Sequence, residues 1–132
     1  MKLLKSKTLS ITVNAKPKEV YAFASNPHNL PKWAKAFCLS IKKAGNKWVV
    51  TSPQGPVVIK FARKNAFGIL DHVVSPAPGV AISVPMRVVA NGSGSEVIFT
   101  LYRMPGVSDV EVAKDVRWVE EDLGSLKRIL ER

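Results

Sequence analysis

Few residues in this chain could do chemistry, and two of them fall in informative places. His72 has a side chain whose ordinary pKa lies near neutrality, so it can give or take a proton. Arg103 carries a planar guanidinium that can hold a carboxylate through two parallel hydrogen bonds. The other histidine, His28, stands between Pro27 and Pro31 and reads as exposed or capping. Cys38 is the only cysteine, so neither an internal disulfide nor a Cys-based zinc cluster can form. No set of His, Asp and Glu has metal-ligand spacing, so no metal is expected. Two histidines so placed cannot complete a Ser-His-Asp arrangement. Gly92-Ser93-Gly94 joins two strand patterns and does not open a helix, so it is no phosphate loop. No cofactor is implied.

Whether His72 and Arg103 can act together depends on the elements that carry them. Turn signals divide the middle of the chain at 45–46, 53–56, 65–66, 76–79 and 91–94. The segments between them are short and rich in Val, Ile, Phe and Thr, which predicts a meander of antiparallel strands. A first strand is expected at about 7–13, where Leu9, Ile11 and Val13 alternate with Thr8, Ser10 and Thr12. Two short helices should follow. Pro17 and Glu19 suit the first turn of one, and Asn26-Pro27 suits the cap and first turn of another that runs on to Trp33 and Phe37. The last element has the clearest signature. Ser108-Asp109-Val110-Glu111 is a capping box. Behind it Val112, Val116, Val119, Leu123, Leu126 and Leu130 form one apolar stripe along a long helix.

The turn lengths set an expected register. A two-residue turn at 45–46 faces Lys43 with Trp48 and Ile41 with Val50. A four-residue turn at 53–56 puts Trp48 by Phe61. A two-residue turn at 65–66 puts Ile59 by His72 and Phe61 by Leu70. The next loop puts Leu70 by Val84 and His72 by Ile82. The last puts Met86 by Phe99, Val84 by Leu101 and Ile82 by Arg103. One face then carries Trp48, Phe61, Leu70, Ile82, Val84, Met86, Phe99 and Leu101. His72 and Arg103 fall on that apolar face in one cross-strand row, two strand spacings or about 9–10 Å apart. A small molecule with one polar end would fit between them. Asp71 alternates to the other face, so it should not pair with His72. The plainer alternatives are a histidine satisfied by backbone or water, and an arginine that reaches solvent or an acid of the last helix.

Composition narrows the function classes. The chain has 132 residues, 46% of them hydrophobic, which fits one domain, 1–132, with a substantial core. It has no apolar run long enough to span a membrane and no secretory leader, so a soluble, cytoplasmic protein is expected. Charge is uneven. Residues 1–70 hold thirteen Lys and Arg against the single acid Glu19, a net +12, whereas 71–132 carry seven bases and nine acids, a net −2. A basic surface attracts anionic partners. Without arginine clusters or interleaved aromatics, dedicated nucleic-acid binding is not expected. Trp118 lies off the helix stripe and suits either a cavity rim or a homodimer contact.

Three stretches resemble the START-like helix-grip superfamily, SRPBCC, which includes polyketide cyclases and dehydrases and lipid-transfer domains. They are 15–23 after the first strand, Asn26-Pro27-His28-Asn29-Leu30-Pro31-Lys32-Trp33, and the end of the long helix at 122–127. Residues 67–72 with 84–89 resemble a bacterial branch without assigned activity. The resemblance covers essentially the whole chain. It implies an α+β helix-grip fold: a curved seven-strand antiparallel sheet wrapped around the long C-terminal helix, with two short helices after the first strand. It also implies an apolar cavity between sheet and helix, and it carries over no catalytic motif.

These observations lead to an expected binding protein for a small, largely apolar molecule. Its expected lining is Trp48, Phe61, Leu70, Ile82, Val84, Met86, Phe99 and Leu101 from the sheet with Val112 and Val116 from the helix. His72 and Arg103 would orient a polar end. One alternative is a cyclase, dehydratase or isomerase with His72 as general acid or base. Another is an interaction module that docks its basic N-terminal half on an anionic partner.

Overall fold

The computed structural model describes residues 2–132, so Met1, the first residue of the expected 1–132 domain, lies outside the described residues. The chain runs β1 (Ser6–Val13), α1 (Pro17–Ala24), a 3₁₀ turn (Pro27–Asn29), α2 (Leu30–Trp33), β2 (Ser40–Ala44), β3 (Lys47–Ser52), β4 (Gly55–Phe61), β5 (His72–Ser75), β6 (Ile82–Val84), β7 (Met86–Asn91), β8 (Gly94–Tyr102) and α3 (Asp109–Leu130). This is the expected α+β arrangement, an antiparallel meander with a long C-terminal helix.

Among the described residues the strands number eight rather than seven, in two sheets ordered β1-β8-β7 and β2-β3-β4-β5-β6. The break is Pro85. Proline has no N–H to give a ladder, so the strand expected across 82–90 divides there into β6 and β7. The Pro85 carbonyl still accepts from Thr100 N at 3.0 Å, which keeps the sheets joined at that corner.

The short helices are as expected in place but not in length. The Asn26 side chain accepts from His28 N at 3.1 Å and starts the 3₁₀ turn. α2 ends at Trp33 because Ala34 leaves helical geometry at ψ 46, so Phe37 sits in the following loop. At α3 the Ser108 hydroxyl accepts from Glu111 N at 3.2 Å, which forms the hydroxyl half of the expected box. Asp109 and Glu111 in the first turn and Lys127 and Arg128 in the last suit the helix dipole.

The apolar stripe of α3 does two jobs. Its C-terminal half, with Leu123 and Leu126, is buried against the core. Lys127 Nζ donates to the Thr12 carbonyl at 2.7 Å, and Glu131 accepts from Asn14 N at 2.7 Å, which fixes this half to β1. In the N-terminal half Val112, Val116 and Val119 are only partly buried. The space that they leave unfilled is the site described next.

Candidate functional site

A cavity of about 650 Å³ lies between the sheets, α2 and the N-terminal half of α3. Its size is within the usual range for small-molecule sites, roughly 300–1,000 Å³. Eleven of the twelve residues expected to line it do so. Phe61, Leu70, Ile82, Val84, Met86, Phe99 and Leu101 face it from the strands and the approach to β5. Val112 and Val116 face it from α3, and His72 and Arg103 also border it. Exposed Lys5, Lys7 and Gln54 stand along its edge.

Trp48 is the exception. It pairs with Ile59 across β3 and β4 and so shares the concave face. It lies outside the cavity wall, with its ring edge-on to His28 at 5.1 Å between centroids. Trp33, Phe37 and Trp118 are in the wall instead, and Lys114 Nζ sits 5.2 Å from the Trp118 ring centroid. Trp118 is therefore a rim residue. The Trp33 indole N–H is buried in this wall with no partner among the described residues.

Three expected registers shift by two residues each, and the third breaks the row that joined His72 to Arg103. Ser52 pairs with Gly55, because its hydroxyl donates to the Gly55 carbonyl at 2.7 Å and accepts from Gln54 N at 3.2 Å, closing a tighter turn than 53–56. Phe61, not Ile59, faces His72. His72 then faces Val84, not Ile82. A shift of two keeps each side chain on its face, so the cavity survives while the row does not. Arg103 lies beyond the end of β8, in the segment before α3.

Arg103 is also occupied. Its Nη1 donates to Asp109 Oδ1 at 2.7 Å, and its Nη2 and Nε donate to the Val107 carbonyl at 2.7 and 3.2 Å. The guanidinium thus braces the entry to α3, with three of its five N–H donors engaged there.

His72 is built differently. Its Nδ1 lies 3.0 Å from the Leu70 carbonyl oxygen, which can only accept, so Nδ1 carries the proton. Phe61 and Phe99 flank the ring at 6.0 and 6.1 Å between centroids. Burial pushes its pKa below the ordinary value, against the opposing pull of the Leu70 bond and of Asp71. Asp71 itself points away, as alternation requires. Its carboxylate accepts from Met86 N at 2.9 Å and pairs with Arg87, so no Asp71–His72 dyad exists.

Two acids that the sequence did not single out as site residues border the cavity from α3. Asp115 and Asp122 both have pKa values raised, chiefly by burial, Asp122 to about 6. Asp122 accepts from Ala36 N at 2.9 Å. The available signal was their position three residues after Val112 and Val119, at the edge of the apolar stripe. Cys38 is buried, and burial with the nearby Asp122 pushes its thiol up to about 11, which leaves it protonated and inert at neutral pH. The basic residues of the N-terminal half mostly lie elsewhere, with Lys42 and Lys60 exposed along β2 and β4. No helix among the described residues is long and apolar enough to cross a membrane.

Residues 6–131 match the family model described as polyketide cyclase/dehydrase and lipid transport. No curated protein matches the sequence. Among solved structures the chain is similar to the protein XoxI from Bacillus cereus, at 18% identity and TM-score 0.79, over 96% of both chains. It is similar to the protein of the Aha1 dimer from Colwellia psychrerythraea, at 17% identity and TM-score 0.77, over 97% of both chains. DynU16, a protein of the dynemicin biosynthetic locus, shares 19% identity at TM-score 0.73, over 96% of this chain and 47% of that one. Identities this low speak to the fold, and the fold they share is the helix grip.

Proposed function

The chain belongs to the polyketide cyclase/dehydrase and lipid-transport family, and from that premise we propose that it binds one small, largely apolar molecule in the cavity between sheet and α3, oriented by His72. The observation that carries this reading is a hollow of about 650 Å³, walled mainly by apolar side chains, with a single histidine ring set among them. Burial of apolar ligand surface would drive association at about 25 cal/mol per Å², less the cost of lost motion. Titration with naphthalene, followed by its fluorescence, tests it. Saturable one-site binding is expected, and Val116→Trp, which fills the hollow from α3, should abolish it while circular dichroism shows the fold intact. Binding that ignores a folded Val116→Trp protein, or no binding by the unaltered chain, would overturn the reading.

A second reading, an isomerase- or dehydratase-type enzyme, is favoured by one observation. Asp115, held toward its protonated form, borders the same cavity as His72, held toward its neutral form. A carboxyl that keeps its proton more readily and an imidazole that stays neutral can serve as proton donor and proton acceptor. Turnover of a bound ketone or alcohol that is lost in both Asp115→Asn and His72→Gln, with binding retained, would support it. Turnover indifferent to both changes would remove it.

A further inference from the structure

We infer that the bound molecule is neutral at its polar end and offers a hydrogen-bond donor, an alcohol or phenol hydroxyl, to His72 Nε2. The inference rests on the cavity reading above and deepens it. With Nδ1–H committed to the Leu70 carbonyl at 3.0 Å, Nε2 is left with a lone pair. No described residue donates to it, and it is not among the buried unpartnered atoms, so it keeps accessible surface. The ring borders the cavity, where Phe61 and Phe99 stand beside it. At His72 the site therefore presents an acceptor, and a ligand carboxylate placed there would set lone pair against lone pair.

The surroundings reinforce this sign. Arg103, the cation nearest in expectation, is held by Asp109 and the Val107 carbonyl. Asp115 and Asp122 border the cavity from α3 and would repel an anion whenever ionised. Protonating His72 to welcome a carboxylate works against its burial. Lys5 and Lys7 are exposed at the edge, where solvent screens them.

Naphthalene, 2-naphthol and 2-naphthoate at pH 7.5 form the test, each titrated against the unaltered chain and His72→Leu. The affinity ratio of 2-naphthol to naphthalene is the readout, since it cancels their shared apolar body. A net hydrogen bond predicts that this ratio falls about three- to tenfold in His72→Leu. His72→Gln, which keeps an acceptor oxygen, should restore part of it. In the unaltered protein, nitrogen-15 spectra should show the His72 Nε2 resonance moving upfield with 2-naphthol and staying in place with naphthalene. An unchanged ratio, a stationary Nε2 resonance, or 2-naphthoate binding more tightly than 2-naphthol would overturn the inference and leave the cavity reading standing. Failure of all three probes to bind would overturn both.

Discussion

The Asp122 carboxylate of α3 accepts the backbone N–H of Ala36 at 2.9 Å, and this bond ties the long helix to the loop between α2 and β2. The nearby Phe37 N–H also favours the charged form. Burial still outweighs both effects, and the pKa stands at about 6 against an ordinary 3.8. The cavity wall at this end thus rests on a carboxylate that resists ionisation.

A pH dependence of stability follows. Between about 3.8 and 6 the folded chain holds a proton on Asp122 that the unfolded chain has released. Stability therefore falls as pH rises through this window. Asp122→Asn removes the titration and keeps an oxygen for Ala36. Its stability relative to the unaltered protein should rise between pH 3.5 and 7 by up to about 3 kcal/mol, on the scale of 1.36 kcal/mol per pKa unit. Urea unfolding at several pH values checks this, and a difference that stays flat would refute it.

Arg103 should matter to the helix and not to the ligand. Its exposed pair with Asp109 is worth at most about 1 kcal/mol, and its bonds to the Val107 carbonyl add a similar amount. Arg103→Met is expected to cost about 1–2 kcal/mol and to speed amide exchange at the start of α3. The 2-naphthol to naphthalene ratio should not move. A drop in affinity for 2-naphthoate would return Arg103 to the carboxylate-binding role that its sequence position suggested.

Gly68 packs its backbone against that of Val88, one residue before Ile69 of the cavity wall. Its φ is +72, and an added Cβ would sit 2.2 Å from the Val88 carbonyl oxygen. The same glycine's carbonyl accepts from Val88 N at 2.9 Å, so the two chains cannot part without losing that bond. Gly68→Ala should destabilise by more than about 3 kcal/mol, the size of a strained or overpacked site. Gly92→Ala, also at positive φ but facing open space, should cost about 1 kcal/mol. Equal costs in thermal unfolding would show that the close approach to Val88 is not limiting.

The apolar face was legible because strand side chains alternate with period two, and a register error of two leaves that pattern intact. For the same reason the pattern could not reveal the errors themselves. They come from turns whose length is set by side chains bonding to backbone. Asn65 illustrates this. Its Oδ1 accepts from Phe67 N and Ile69 N, and its Nδ2 donates to the Arg63 and Ile69 carbonyls, which organises a loop that reads in sequence as a plain two-residue turn. The sequence does not mark Asp115 and Asp122 as site residues, because a charge beside an apolar stripe usually faces water. Here α3 is pinned to β1 by its far end, and the unfilled hollow lies under its start, so Asp115 borders space rather than bulk solvent.

His72 gives the opposite sign to Asp122. Burial holds its folded pKa below the ordinary 6.5, so as pH falls the unfolded chain takes up the proton first. Stability from this group is complete above about 6.5 and is lost as pH drops from there toward the folded value. Asp115 and Asp122 change stability in the other direction at lower pH, so the bare curve mixes the three. The comparison with His72→Leu separates them, because the acids are common to both proteins. The unaltered chain should lose ground to His72→Leu between pH 8 and 5, read as a relative shift in urea midpoints. With 2-naphthol bound, the shift should continue to lower pH, since the ligand favours the neutral ring and lowers its folded pKa further. A gap that is constant across this range would mean that the ring titrates as freely in the fold as outside it, and that the cavity wall does not enclose it.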